Sequence, residues 1–218
     1  MKPMSFLTSD IFALLDSGKP EFSGLSAIQY GGDGFLIKQL GGTYDKDIRR
    51  PLAIGCALMK RALVDGFTLR AQLSVGDSAD VQGTYSKVMQ ERIQSQSASG
   101  YLSFSHGFPF SFSNMLYNSV IGTSILNAYR LGKPKGPLFV IDPLLKVDLV
   151  EAGVSVAEAE DVLLLDWLKH DDAYVQSGLA ALAMNGTNDY GNALRQYFRR
   201  YGEQVPVDWK EGAEGLLR

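Results

Sequence analysis

The residues of this sequence best suited to chemistry are Gly31, Gly32 and Asp33, which lie between two short apolar segments. Residues 26–30 and 35–40 have the composition of β-strands, so the three residues are predicted to form the turn of a β-hairpin. Glycine tolerates positive φ and lets the backbone reverse sharply. A carboxylate on such a turn suits a divalent cation carrying nucleotide phosphates, because Mg²⁺ takes one or two protein carboxylates and fills its other positions with phosphate and water. An ordinary hairpin with an Asp-Gly turn is the alternative interpretation.

The composition limits the class of protein. A chain of 218 residues with 45% hydrophobic and 21% charged residues suits one globular domain, with room for an appended subdomain. The formal net charge is −3 and no basic block occurs, which argues against nonspecific nucleic-acid binding. No uncharged apolar stretch is long enough to span a bilayer, and the N-terminal residues lack the apolar core of a signal peptide. The single cysteine, Cys56, suits a reducing compartment, so we expect a cytoplasmic protein without a membrane partner.

The hydrophobic pattern predicts an order of elements that is typical of an α/β fold. Residues 48–65 have apolar positions at helical spacing, with Pro51 in the first turn and Gly66 as the stop signal. Residues 67–76 alternate like a strand with one buried face, and residues 138–142 form a buried strand between two prolines. We therefore expect a sheet that is partly antiparallel, with helices packed on it.

The remaining segments are predicted to be a long loop and a helical C-terminal part. Residues 77–113 are rich in Ser, Gln and Gly, and loops of this length are usually functional or mobile. A helix follows over 119–131, and from Ser155 onward the pattern favours helices alone. This organisation predicts an α/β domain over 1–148 and a helical extension over 149–218.

Three segments in this order resemble the class III nucleotide cyclases, and more loosely their relatives the GGDEF diguanylate cyclases. They are the glycine-aspartate hairpin, the predicted strand over 67–76 that ends in a glycine, and the segment over 120–131 with its Gly, Ala and Arg-Leu. The resemblance covers about residues 22–145 and rests on the order and spacing of the three segments. Residues 119–145 are also similar to small bacterial cyclases, including those of pyrimidine-cyclase anti-phage defence.

The resemblance implies a ferredoxin-like palm sheet with helices on one face, and an enzyme that makes a cyclic mononucleotide from a nucleoside triphosphate. In that family two aspartates bind two metal ions, Mg²⁺ or Mn²⁺, one of which activates the ribose 3′-hydroxyl. Asp33 matches the hairpin aspartate, and the resemblance assigns Gly31 and Gly32 beside it to nucleotide binding. Asp10, which is followed by an isoleucine, is the candidate for the second aspartate, with a helix N-cap as the alternative.

Four further positions align with functional positions of that family. Arg130 matches the arginine that steadies phosphate in the transition state, with a solvated helix residue as the alternative. Gln29 and Ser119 fall on the two positions that read the base, and both side chains can donate and accept hydrogen bonds. Leu126 stands where the family has a ribose-orienting asparagine, and leucine cannot hydrogen-bond.

Two functions follow from these matches and departures. The first is an active cyclase that works as a homodimer, in which one protomer supplies Asp33 and the other supplies Arg130. The second is a catalytically inactive homologue that binds a nucleotide or serves as a regulatory scaffold. Asp33 and Arg130 favour the first function, whereas Leu126 and the short segment before the hairpin favour the second. The sequence does not identify the base.

Overall fold

The computed structural model describes residues 2–22, 25–30, 34–39, 47–76, 79–80, 120–121, 123–184 and 188–217. These residues form a mixed α/β structure, which confirms the α/β class that the hydrophobic pattern predicts. The α-helices are α1 (Lys2–Leu15), α2 (Arg49–Val64), α3 (Thr123–Arg130), α4 (Lys146–Glu151), α5 (Ala173–Ala181), α6 (Tyr190–Tyr201) and α7 (Val207–Glu214). The strands are β1 (Leu25–Tyr30), β2 (Gly34–Gln39), β3 (Ala71–Leu73), β4 (Ala79–Asp80), β5 (Val120–Ile121), β6 (Phe139–Ile141), β7 (Ala157–Ala159) and β8 (Val162–Leu165).

Helix α2 lies at the centre of the core, since most of its 16 residues are buried. Pro51 lies in its first turn, where a missing backbone N–H costs little. At its C-terminal end Gly66 adopts φ +88°, and the N–H of Phe67 donates to the carbonyl of Ala62 at 3.0 Å. This is the glycine-terminated helix end that the sequence predicts for this segment.

A four-stranded mixed sheet packs beside this helix in the order β3-β6-β8-β7. Strand β6 is fully buried, as predicted for the apolar segment between two prolines. It runs parallel to β3 and antiparallel to β8. The predicted strand over 67–76 is present but shorter, because only Ala71–Leu73 pairs with β6.

The prediction that the chain is helical throughout from Ser155 onward is wrong. Strands β7 and β8 form an antiparallel hairpin with Glu160 at φ +49° in its turn. The apolar run of β8 is four residues long, and a run of that length fits a buried strand as well as a helix turn. Because β8 also pairs with β6, the sheet contains strands from both sides of the predicted boundary between 1–148 and 149–218. That division stays a prediction.

Two further pairs of strands lie outside the four-stranded sheet. Strands β1 and β2 form the predicted antiparallel hairpin, with Tyr30 opposite Gly34. Strand β4 lies inside the predicted loop over 77–113, most of which lies outside the described residues, and it pairs antiparallel with β5. Strand β5 occupies the start of the helix predicted over 119–131, and the helix itself is α3, which begins at Thr123. The predicted helices near residues 173–184 and 191–201 are confirmed as α5 and α6.

In the ranges that the structure describes, no helix combines the length and the apolar character needed to cross a membrane.

Candidate functional site

A cleft of about 560 Å³ lies between the β1–β2 hairpin and strand β3. Its lining includes residues 34–37 from β2 and residues 69–73, which contain β3. The rest of the lining comes from Phe139 of β6 and from helices α1, α2 and α3, mainly with apolar side chains: Leu7, Ile11, Ile54, Leu58, Met59, Ile125 and Ala128. The cleft is therefore apolar over most of its surface. Two of the elements that border it are β2, which directly follows Asp33 in the sequence, and α3, which ends at Arg130.

The polar side chains Arg70 and Gln72 line this cleft, but their hydrogen bonds are directed at the C-terminal end of α3. The guanidinium of Arg70 donates to the carbonyl of Leu131 at 2.5 Å and to the carbonyl of Pro134. The side-chain amide of Gln72 is oriented so that its nitrogen faces an acceptor and its oxygen faces a donor. The nitrogen donates to the carbonyl of Ala128 at 3.0 Å, and the oxygen accepts from Arg70 Nε at 3.1 Å. Burial lowers the pKa of Arg70. These two side chains cap a helix end, and sequence reasoning missed them because their partners are distant in sequence.

The end of β3 also holds the N-terminal half of α3 in place. Ser74 Oγ donates to the carbonyl of Ser124 at 2.8 Å, and the side-chain amide of Asn127 donates to the carbonyl of Val75 at 2.9 Å. At Gly76 an added Cβ would lie 2.6 Å from the backbone nitrogen of Ser124, so only glycine fits there. The glycine at the end of the predicted strand thus permits a close approach between β3 and α3.

The predicted phosphate ligand Arg130 is the last residue of α3, and its side chain is exposed to solvent. Tyr129 and Leu126 on the same helix are also exposed, at 85% and 60%. Leu126 therefore faces away from the packed side of the helix. The neighbouring Asn127 has its amide bonded to the backbone that follows β3.

The predicted second metal ligand, Asp10, lies in the middle of α1, which begins at Lys2. The alternative interpretation of Asp10 as an N-cap is therefore wrong, because the helix starts earlier than the polar residues around it indicated. The carboxylate lies 3.8 Å from Arg61 Nε, which is also 2.9 Å from Asp65. Burial raises the pKa of Asp10, and the nearby charge of Arg61 opposes this effect.

A metal centre built from several carboxylates does not fit the described part of the chain. Within those ranges no group of three or more His, Cys, Asp or Glu side chains is placed to hold a metal ion. Asp10 faces Arg61 on α2.

The other predicted site residues give less information. Asp33, Gly31, Gly32 and Ser119 lie outside the described residues, and Gln29 lies in strand β1 without a described side chain. Their predicted roles in metal and nucleotide binding stay predictions.

A second polar cluster surrounds Lys60, which is only 1% exposed. Its ammonium group donates to the carbonyl of His170 at 2.7 Å and lies 4.9 Å from the ring centre of Tyr190. Asp171 is 4.0 Å away, and burial lowers the pKa of Lys60. The cluster joins α2 to the segment that precedes α5 and to the first residue of α6. In the sequence, Lys60 is visible as a lysine on the apolar face of a predicted helix. Because its charge is buried with partners from other segments, its role is to hold these segments against α2.

Comparison with known proteins assigns no family to the chain. No protein-family model, no curated protein and no solved structure matches it. Its function is therefore inferred from its own residues and their geometry.

Proposed function

We propose that the chain is a nucleotide cyclase-like protein that binds a nucleoside triphosphate beside the hairpin turn and converts it to a cyclic mononucleotide. One observation supports this above the others. Gly34, which directly follows Asp33, and Tyr129, which directly precedes Arg130, both line the same cleft. A site that combines the hairpin aspartate with the arginine of α3 needs these two elements to be neighbours.

The roles of the residues follow from their chemistry. Asp33 would bind Mg²⁺ or Mn²⁺ together with phosphate oxygens, since hard cations prefer oxygen ligands. Arg130 would bind the phosphates, because a guanidinium offers a two-pronged set of donors that matches their oxygens. Its exposed position leaves it available to a ligand. A second metal ion bound through Asp10 is not part of this proposal, because that carboxylate faces Arg61.

The palm-type sheet and the homodimer belong to the same proposal. The order of hairpin, α2 and β3 along the chain supports the palm fold, although the hairpin and the four-stranded sheet are separate in the described residues. The exposed apolar side chains of Leu126 and Tyr129 beside Arg130 support a partner protomer that covers this side of α3. Because Gly34 and Tyr129 line one cleft, each site in this proposal takes Asp33 and Arg130 from the same protomer and not from two. A role in anti-phage signalling would follow only from cyclase activity.

A nucleotide-binding protein without turnover is the second candidate. Two observations favour it: the pairing of Asp10 with Arg61, and the exposure of Leu126, which has no group to orient a ribose. Such a protein would still bind a triphosphate through Asp33 and Arg130 and would act as a nucleotide sensor or scaffold.

The test is incubation of the protein with ATP, GTP, CTP and UTP separately, each with Mn²⁺, and mass spectrometry of the products. We expect a cyclic mononucleotide from at least one of them, and a loss of at least about 100-fold in rate for Asp33→Asn and Arg130→Ala. Glu151→Gln, which changes an exposed carboxylate on α4, is the control and should retain full activity. Binding of a triphosphate by equilibrium dialysis without product would favour the second candidate, and neither binding nor product would exclude both.

A further inference from the structure

We propose that α4, together with the 3₁₀ turn Pro143–Leu145 that precedes it, is the docking site for an amphipathic, basic helix of another protein. Three large apolar side chains of this segment face solvent: Leu144 is 72% exposed, Val147 67% and Val150 69%. Among the residues that the structure describes, eight large apolar side chains are exposed, and these three lie within seven consecutive positions. Single exposed apolar residues are ordinary, but a group of them on one element is typical of an interaction surface.

The three side chains form one row on the outer side of α4. Leu149, on the opposite side of the helix, has no exposed surface and packs in the main core. Residues three apart are neighbours on a helix surface, so Leu144, Val147 and Val150 follow one another along the outer side, and we call them the apolar row. The row spans roughly 10 Å at about 1.5–2.0 Å per residue, which is the length of nearly two turns of a partner helix.

Two carboxylates of the same helix border the apolar row. Asp148 lies one turn beyond Leu144, and Glu151 lies one turn beyond Val147, since residues four apart are also neighbours on a helix. Glu151 is exposed and Asp148 is half-buried. A partner that covers the apolar row therefore brings its own flanking side chains close to negative charge.

The β7–β8 hairpin adds further negative charge beside α4. Lys146 Nζ donates to Glu158 Oε1 at 2.6 Å, and this bond places the hairpin next to the first turn of the helix. Glu160 and Asp161 in the turn of the hairpin are exposed, and Lys133 lies 3.8 Å from Asp161. Five carboxylates thus belong to residues 143–161, with Lys146 as the single cation of that segment.

This combination of an apolar row and carboxylates identifies the occupant. A second copy that presented the same surface would bring like charges together, and an anionic membrane surface would be repelled for the same reason. The two long segments of this chain outside the described residues, 40–46 and 81–119, contain three Lys or Arg and two Asp or Glu between them, so they do not match the carboxylates. A helix of another protein with one apolar face and Lys or Arg along its flanks matches both features.

The docking surface is separate from the cleft of the proposed nucleotide site, because no residue of 143–165 lines that cleft. Peptide binding and nucleotide turnover are therefore independent measurements.

The test uses three fluorescein-labelled peptides of 18 residues, whose binding to the full chain is measured by fluorescence polarisation. The first is an amphipathic helix of leucine and lysine, and the second has the same leucines with glutamate in place of lysine. The third has the composition of the first in strict alternation, a pattern that favours a strand. We expect the first peptide to bind and the other two to bind at least about tenfold more weakly.

Substitutions on the chain locate the peptide. Val147→Ser should weaken binding of the first peptide at least about tenfold, because it removes the centre of the apolar row. Val207→Ser is the matched control, since this valine of α7 is 72% exposed, and it should leave the affinity within about twofold. Glu151→Gln should weaken binding about two- to fivefold and reduce its dependence on salt.

A thiol probe shows whether the apolar row is free in the absence of peptide. Cys56 has no exposed surface, so a thiol introduced by Val147→Cys is the accessible one. Val147→Cys should react with a maleimide as fast as Val207→Cys, and the first peptide should slow the reaction of Val147→Cys alone at least about tenfold.

Slow reaction of Val147→Cys without peptide would overturn the proposal. A slow rate that is independent of protein concentration would show that the chain covers the row itself, and a rate that falls with concentration would show that a second copy does. The proposal is equally overturned if the first peptide binds no better than its glutamate version, or if Val147→Ser binds it as tightly as Val207→Ser. None of these outcomes bears on the nucleotide assay.

Discussion

Asp47 is a charged residue whose side-chain hydrogen bonds join two distant parts of the chain. Its carboxylate accepts hydrogen bonds from Arg49 Nε at 2.7 Å and from the hydroxyl of Tyr174 at 2.7 Å. These bonds, those from Arg49 first, lower the pKa of Asp47 to about 2. Because Tyr174 belongs to α5, a residue that precedes α2 is tied to a helix more than 100 residues later.

We predict that the free energy of unfolding decreases as the pH falls from about 4 to about 2. The pKa of Asp47 is about 2 in the folded chain against 3.8 for an aspartate side chain free in water, so the unfolded chain binds more protons between these values. The stabilisation by Asp47 is therefore fully present well above pH 4 and is lost as the pH falls through about 2. Urea denaturation at intervals of half a pH unit measures the slope. Asp47→Asn should have a smaller slope, and an equal slope in both proteins would contradict the prediction.

At the scale of elements, glycines decide how closely helix α2 approaches the sheet. A Cβ added at Gly55 would lie 2.5 Å from the ring of Phe139 in β6. The same device operates where α7 meets the segment before β6, since a Cβ on Gly212 would lie 1.8 Å from the carbonyl oxygen of Lys135. Both glycines are in helices, where glycine is usually unfavourable, so packing accounts for their presence.

We predict that Gly55→Ala destabilises the protein by about 1–3 kcal/mol, because the added methyl group must displace a buried ring. Gly215→Ala is the matched control, since the nearest atom to its Cβ would be 4.0 Å away. The control should change stability by less than about 0.5 kcal/mol. Chemical denaturation of the two variants beside the unchanged protein measures both values, and equal stabilities would show that the ring of Phe139 moves without cost.

The elements that the sequence predicts well are those with strong local signals. The hairpin follows from its glycines, α2 from its periodicity and its glycine stop, and β6 from an apolar run between prolines. The prediction was wrong at β7 and β8, because a short apolar run is compatible with either a buried strand or a helix turn. For the candidate site the limit is different. The sequence located Asp10 but could not show that Arg61 faces it, and it gave no sign that Arg70 caps α3, because these partners are set by tertiary packing.

At the scale of the whole molecule, one apolar core connects elements from both halves of the chain. It contains Leu14 of α1, Met59 of α2, Leu165 of β8, Val175 of α5 and Leu194 of α6. Cys56 lies in this core with no exposed surface, as expected from its helical apolar pattern. Burial raises the pKa of the Cys56 thiol, so the nucleophilic thiolate is suppressed in the folded chain.

We predict that the chain unfolds in one cooperative transition, because removing either half would expose the shared core. The loss of helical circular dichroism should coincide along a urea gradient with the onset of Cys56 reaction with a disulfide reagent. In the absence of urea the thiol should not react over minutes. Two separate transitions would contradict this prediction and would support independent units over 1–148 and 149–218.

The two tryptophans of this chain give it a pair of built-in optical probes. Trp167 is buried, with its indole N–H bonded to the carbonyl of Pro137 at 2.7 Å, so its emission should be blue-shifted. Trp209 on α7 donates to the hydroxyl of Thr68 at 3.3 Å, one residue before the segment that lines the cleft. With Trp167 replaced by phenylalanine, the emission of Trp209 alone would report the binding of a molecule beside Thr68, in real time and without a label.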